Sequence, residues 1–504
     1  MKYNILIGGK AGQGINKISE IIGKVITKQG YFVFNYRDYP SLIRGGHNFN
    51  VLTISDTPVS SSESKIDTII AMDDKTVGIH KKELKKKNWI FQGDKFKELG
   101  RDMNIALASA YLKVIGVPKK VIIDEIKSQF KHKEAIAAVE KGYSSEKEEH
   151  KSPAIKKKIS IMSGTQAVAE GAINSEIDIY FAYPMTPATG VLHELAARQR
   201  NNNVKVIQPE NEIAVANAGL GASFAGKKVM IGTSGGGYDL MTEALSLQGQ
   251  SEIPLVVYLA SRPGPGTGVP TYTSQADLDI ALRGGHGEFP RVVIAPGDPT
   301  EAIEKTNEAF YLAEKFRTLS IILTDKHLAE SEFSTDKQAK KPLKISVNRK
   351  LPGQAIVKAN SYEHTDKQET SEDPEVTKRG AERRIAKYNQ IKKEVKKFEM
   401  IKIHGKKNSK NLIIGWGSTK GAILDAIKGL DYKFLQVLYM KPLSDEIEKE
   451  IKKAKKIILV ENNVTGQLGR LIREKSGIKI ENRILKYDSR PFLSDELRKQ
   501  LGGK

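Results

Sequence analysis

Short apolar runs that stop at a turn and give way to helical stretches recur along the whole chain, and this rhythm confines it to an α/β architecture. Residues 1–130 open with YNILIG, a strand, then GINKISEIIGKVITKQG, an amphipathic helix ending at Gly30, then the strand YFVFNY. FNVLTIS and DTIIAMD follow as further strands, a βαβ order that predicts a parallel sheet with helices on its faces. Residues 131–157 turn charged and lose periodicity, which predicts a linker. A second unit over 158–335 contains IDIYFAY, VKVIQ, KKVMIGTS, PLVVYLA, RVVIAP and LSIILTD, most of them followed by a helix. Residues 336–407 read as a charged connecting segment ending in the helix-like RGAERRIAKYNQIKKEVKKF, and 408–504 as a third unit. At 504 residues the chain exceeds a single core. The expected fold is multi-domain α/β with three parallel-sheet units.

The sequence contains no cysteine, which excludes disulfides, thiolate zinc sites and cysteine-ligated iron–sulfur clusters within this chain. Any cluster serving its chemistry belongs to another subunit. No apolar run approaches the ~20 residues of a membrane helix. MKYNILIGG enters a strand directly, without the features of a secretion signal, so no membrane association and a cytoplasmic location are expected. The net charge of +21 raises nucleic acid as a partner. The lysine clusters KKELKKKN (81–88), KSPAIKKK (151–158) and KKEVKK (392–397) lack interleaved aromatics, however. They read as solvated helix faces and linkers, or as a field that steers an acidic partner or anionic cofactor, and no nucleic acid is expected.

Several motifs could carry chemistry. In FAYPMTPATGVLHELAARQ (181–199) a strand meets a helix start, with Thr186 a candidate N-cap and Pro187 at the first helical position. A well-capped helix accounts for this equally well, but the carboxyl end of a parallel strand beside a helix N-terminus is also where anions bind. In QPENEIAVANAGLGASFAG (208–226), Glu210 and Glu212 precede a helix of Ala, Gly and Asn. Either acid alone could simply complement the helix dipole; so many small residues suggest close approach of a flat ligand or another backbone. VMIGTSGGGYDLMTEALSLQ (229–248) runs a strand into Ser234-Gly235-Gly236-Gly237, a turn whose glycines permit such an approach, a weak signal by itself. Arg262, directly after a buried strand in LASRPGPGTGVPTYTSQADL, suits carboxylate or phosphate recognition, although an exposed loop arginine is the plain alternative. GGKAGQGINK (8–17) fits a phosphate loop or a tight strand–helix turn and matches neither a Walker A nor a dinucleotide fingerprint. IRGGHNFNV (43–51) sets Arg44 and His47 around two glycines, and a lone histidine is more often structural.

Together these segments resemble the 2-oxoacid:ferredoxin oxidoreductases, in the form where a gamma domain is fused ahead of the alpha subunit. GGKAGQG and IRGGHNFNV resemble the gamma domain; YPMTPAT, NEIAVANAGLGASFAG, TSGGGYDLMTEAL and RPGPGTGVPT resemble the pyrimidine-binding domain, in the family's order. NSYEHTDKQETSEDPEV (360–376) and VENNVTGQLGRLIR (460–473) resemble the segment after it and a transketolase C-terminal-like domain. The likeness covers nearly the whole chain. It implies thiamine diphosphate shared with a beta subunit, with Glu212 rather than Glu210 as the catalytic carboxylate at the aminopyrimidine ring, favouring its imino tautomer. It assigns Thr186 and Arg262 to the 2-oxoacid carboxylate, and Glu212, Gly235 and Gly236 to the cofactor. It implies loss of carbon dioxide, single-electron oxidation by a cluster, reduction of ferredoxin and transfer of the acyl group to coenzyme A. Magnesium and a 4Fe-4S cluster are expected in the beta subunit, since this chain has neither a GDG-type motif nor a cysteine. A heterodimer or dimer of heterodimers follows, with 2-oxoglutarate the favoured substrate. Departures from the family are Thr165-Gln166 in place of Asn-Glu, and Met185, Ala188 and Gly266 in the substrate motifs. The competing readings are a non-catalytic thiamine-fold scaffold or regulatory subunit, and a non-redox transketolase-like enzyme.

Overall fold

In the computed structural model, which describes residues 2–40, 46–347, 349–357 and 360–503, the apolar runs form three sheets in two compact units. One unit comprises residues 1–162, 331–338 and 492–504. Its sheet runs Leu84–Gln92, Ile66–Ala71, Lys2–Lys10, His47–Ser55, Phe32–Asp38, Glu332–Thr335 and Ser160–Ser163. The first three are parallel, as the βαβ rhythm predicts. His47–Ser55, by contrast, runs antiparallel to both Lys2–Lys10 and Phe32–Asp38, and Glu332–Thr335 antiparallel to Phe32–Asp38. The sheet is therefore mixed. The cause is the short connection between Phe32–Asp38 and His47–Ser55, which allows an antiparallel pair but not a crossover.

The helix Ile15–Lys28 covers this sheet with Ile15, Ile18, Ile21, Ile22, Val25 and Ile26, all buried. It ends at Gly30, which takes φ +83 and so spares the strain a side chain would carry. Residues 131–157 are not the free linker expected. They hold the helix Glu134–Ser144, which buries Ala135, Ala138, Val139 and Gly142, and Gly142 lies so close to the Ala106 carbonyl that a Cβ would collide with it. The tail of that segment is tied back by Ser152 Oγ donating to Ile115 O (2.6 Å) and Ile155 N donating to Gln29 O (2.8 Å). The lysines at 85–87 belong to an edge strand rather than a helix face, where charge discourages pairing with another sheet.

The other unit comprises residues 163–330 and 339–491 and contains two sheets. One orders Tyr439–Lys441, Arg291–Ile294, Leu319–Asp325, Leu255–Ser261, Val229–Thr233, Ile179–Ala182 and Lys205–Ile207, parallel throughout except at Tyr439–Lys441. The next orders Ile401–Gly405, Lys433–Val437, Asn411–Trp416, Lys456–Glu461 and Arg483–Leu485, with only the first pair antiparallel. A single apolar core runs through both, from Val257 and Leu323 in one sheet to Leu412, Ile414, Leu435 and Leu459 in the next, all of them fully buried.

The long basic helix is present as Pro374–Val395, capped by Asp373, whose carboxylate accepts from Glu375 N and Val376 N at 3.0 Å each. It docks through Val376, Gly380, Ile391 and Val395, so the segment 336–407 is only partly a connection. Residues 492–504, expected in the third unit, group with the N-terminal one, where Ser64 N donates to Asp495 Oδ1 (3.0 Å). Among the described residues no helix is long and apolar enough to cross a membrane.

Candidate active site

The motifs converge at the carboxyl ends of the central parallel strands in the larger unit, the position that an open α/β sheet offers to ligands. Asn211 caps the helix Glu212–Phe224 by accepting from Ala214 N at 2.9 Å. Glu212 is therefore its first residue, yet it is only 4% exposed, whereas Glu210 lies in solvent. An acid that merely complements a helix dipole has no need of burial. Glu212 Oε1 is enclosed without a hydrogen-bond partner, a state that costs about 1–3 kcal/mol and calls for a ligand to relieve it.

The glycine turn explains how that carboxylate is accommodated. Val229–Thr233 ends in Ser234, and the helix Gly235–Ser251 starts at once. A Cβ on Gly237 would strike Thr233 Oγ1 and lie 2.6 Å from Glu212 Cγ and 2.8 Å from Glu212 Oε1. Gly235 packs against Asp277, where a Cβ would lie 2.5 Å from Oδ2, and Gly236 is exposed, with nothing nearer to its Cβ position than Gly266 O at 3.9 Å. Ser234 Oγ is a second buried polar atom without a partner beside the same turn. Gly237→Ala should displace Glu212, reducing activity more than about tenfold and stability by about 1–3 kcal/mol. Rates and thermal midpoints of the variant check this, and wild-type values for both would contradict it.

Arg262 follows Leu255–Ser261, and its Nη1 donates to the Thr186 carbonyl at 3.0 Å. Burial pulls its pKa below the ordinary value, against Asp277 and Glu212, whose carboxylates favour its charge. Thr186 and Arg262 are thus together, but the contact uses the Thr186 carbonyl. Nor is Thr186 an N-cap: the helix spans Thr189–Arg198 and its cap is Ala188. Residues 186–188 instead form a turn ahead of that helix. Gln166 has a local role, since it completes a capping box with Ser163 (Ser163 N donates to Gln166 Oε1, 3.0 Å). Tyr183, Ile207, Ile213, Leu240 and Val269, each between 38% and 52% exposed, sit on the strand ends, loops and helices that carry these groups.

The N-terminal candidates belong to the other unit. The GGKAGQG turn is closed by its own Gln13, whose Oε1 accepts from Lys10 N at 2.6 Å, and Gly14 caps the helix Ile15–Lys28 with φ +83. His47 Nε2 lies 2.8 Å from His80 Nε2, whose ring in turn meets Glu83 (3.0 Å); Arg44 falls outside the described residues. Asp277, and the contact that sets Gly237 apart from its neighbouring glycines, escape a sequence reading of single motifs, because both depend on approach across separate loops.

Comparison with known proteins finds similarity along nearly the whole chain. Residues 170–400 match the thiamine diphosphate-binding domain of pyruvate flavodoxin/ferredoxin oxidoreductases, and residues 4–97 match the pyruvate ferredoxin/flavodoxin oxidoreductase domain. The chain is 29% identical to a 2-oxoacid:ferredoxin oxidoreductase subunit alpha from Sulfolobus, over 99% of this chain and 96% of that one. It is also 29% identical to a 2-oxoglutarate synthase subunit of Methanocaldococcus jannaschii, over 62% of this chain and 90% of the relative. In fold it is similar to the 2-oxoglutarate:ferredoxin oxidoreductase of Magnetococcus marinus, solved with 2-oxoglutarate, coenzyme A and succinyl-CoA (TM-score 0.90, 24% identity, 99% of both chains).

Proposed function

Because this chain is an alpha-subunit-like 2-oxoacid:ferredoxin oxidoreductase, we propose that it is the alpha subunit, fused to a gamma-type domain, of an enzyme converting a 2-oxoacid and coenzyme A to acyl-CoA with reduction of ferredoxin. 2-Oxoglutarate is the favoured substrate, in keeping with the relatives named for it. The observation that carries this reading is the enclosed, unpartnered carboxylate oxygen of Glu212 beside Gly237.

The residues fit thiamine diphosphate: a buried acceptor without a donor suits the ring nitrogen of its pyrimidine, and exposed Gly236 lets a flat ring approach backbone. When bound, that cofactor supplies a nucleophilic carbon and an electron sink for decarboxylation. Glu212 holds the proton at the pyrimidine nitrogen and thereby sets its tautomer. Arg262 binds the 2-oxoacid carboxylate through the guanidinium N–H groups not used on Thr186, with the Thr186 hydroxyl as a second donor. The apolar side chains around the site meet a beta subunit, which contributes the diphosphate grip, magnesium and a 4Fe-4S cluster that this cysteine-free chain cannot ligate. The chain purified alone should show no turnover, and co-expression with its beta partner should restore thiamine-dependent reduction of a viologen dye. Turnover by the lone chain would contradict this division of labour.

A further inference from the structure

Asp277 lies beyond the arginine loop in sequence, but its carboxylate turns back onto the site. Ser261 Oγ donates to Asp277 Oδ2 at 2.7 Å, immediately before Arg262. The same oxygen rests over Gly235, the first residue of a helix that has no side-chain cap and no acid in its first turn. Asp277 and Arg262 lie within each other's field.

The next sheet of the same unit holds this segment in place. Gln275 N donates to Asn462 O (2.7 Å), Gln275 Oε1 accepts from Asn462 N (2.9 Å) and Gln275 Nε2 donates to Trp416 O (2.8 Å). Asn463 Nδ2 donates to Gln275 O (3.2 Å) and Gln467 Nε2 to Ala276 O (2.7 Å). Fully buried Glu461 orders these partners by accepting from Trp416 Nε1 (3.1 Å) and Asn463 Nδ2 (2.8 Å).

We propose that Asp277 is a positioning residue of the active site: its carboxylate orients Arg262 relative to the glycine turn, and Gln275 anchors it to the C-terminal sheet. This rests on the function proposed above. Burial pushes the Asp277 pKa up to about 6; Asp239, on the glycine helix, adds to the rise, while the Ser261 hydroxyl and Arg262 oppose it. Glu212 faces the same arginine. Asp277 is therefore ionised above that pH and neutral below it, and the orienting charge is lost as pH falls through about 6.

The test uses the complex with the beta subunit, 2-oxoglutarate as probe and viologen dye reduction between pH 5.5 and 8. If neutral Asp277 leaves KM for 2-oxoglutarate about tenfold higher, the wild type should show about a threefold rise between pH 8 and pH 5.5, because about a quarter of the carboxylates stay ionised at the lower limit. D277N should show the raised KM at every pH, with kcat within about threefold of wild type and a thermal midpoint at pH 7 that is not lowered. The midpoint follows from linkage, because a carboxylate with a raised folded-state pKa is destabilising when ionised. A wild-type KM without the step, or a D277N complex that keeps the wild-type KM or the step, would overturn the proposal. The wild-type profile decides even if the variant fails to assemble. A wild-type complex inactive on every 2-oxoacid would instead overturn the functional reading, and this proposal with it.

Discussion

Glu212→Gln in the assembled complex should lower kcat by about 10²–10⁴-fold, the range expected when a positioned acid–base group is lost. Glutamine has nearly the same shape, so it fits the space that Gly237 leaves open and the subunits should still associate. An amide cannot hold the negative charge that a ring nitrogen needs in order to stay protonated. Stability should change little, since the oxygen in question has no protein donor to lose. Steady-state rates, size-exclusion profiles and thermal midpoints of variant and wild type measured together check this. A variant with wild-type kcat would remove Glu212 from the mechanism.

Arg262→Lys should reduce kcat/KM for the 2-oxoacid by about 10²-fold, mostly through KM, because about 3 kcal/mol of charge-assisted, forked recognition is lost. Arg262 spends one N–H group on the Thr186 carbonyl and keeps others for substrate. An ammonium is a point charge without that fork, and a lysine here cannot satisfy both partners in one plane. Comparing KM and kcat of the two enzymes reads the effect directly, and an unchanged KM would move the carboxylate site elsewhere.

Much of this arrangement is legible in sequence because it depends on local pattern. The strand ends at Ala182, Thr233 and Ser261 are marked by proline or glycine turns, and each feeds the same edge of one parallel sheet. Gly30 and the Asp373-Pro374 pair mark helix boundaries through backbone preferences that operate at any site. What escapes is set by distant partners. The strand Glu332–Thr335 joins the first sheet across hundreds of residues, with Glu332 opposite Asn35, a pairing that no local pattern announces. The charges of the helix Glu134–Ser144 mask it, although Ala135, Ala138, Val139 and Gly142 repeat at helical spacing. Gly237 and Asp277 matter only through neighbours that the fold brings to them.

The most direct measurement is a structure of the complex of this chain and its beta partner with thiamine diphosphate bound. Glu212 Oε1 should then lie about 2.6–3.2 Å from the pyrimidine ring nitrogen, with the diphosphate held by the other polypeptide. A cofactor bound elsewhere, or a Glu212 carboxylate facing water in the assembled enzyme, would contradict the role assigned to it.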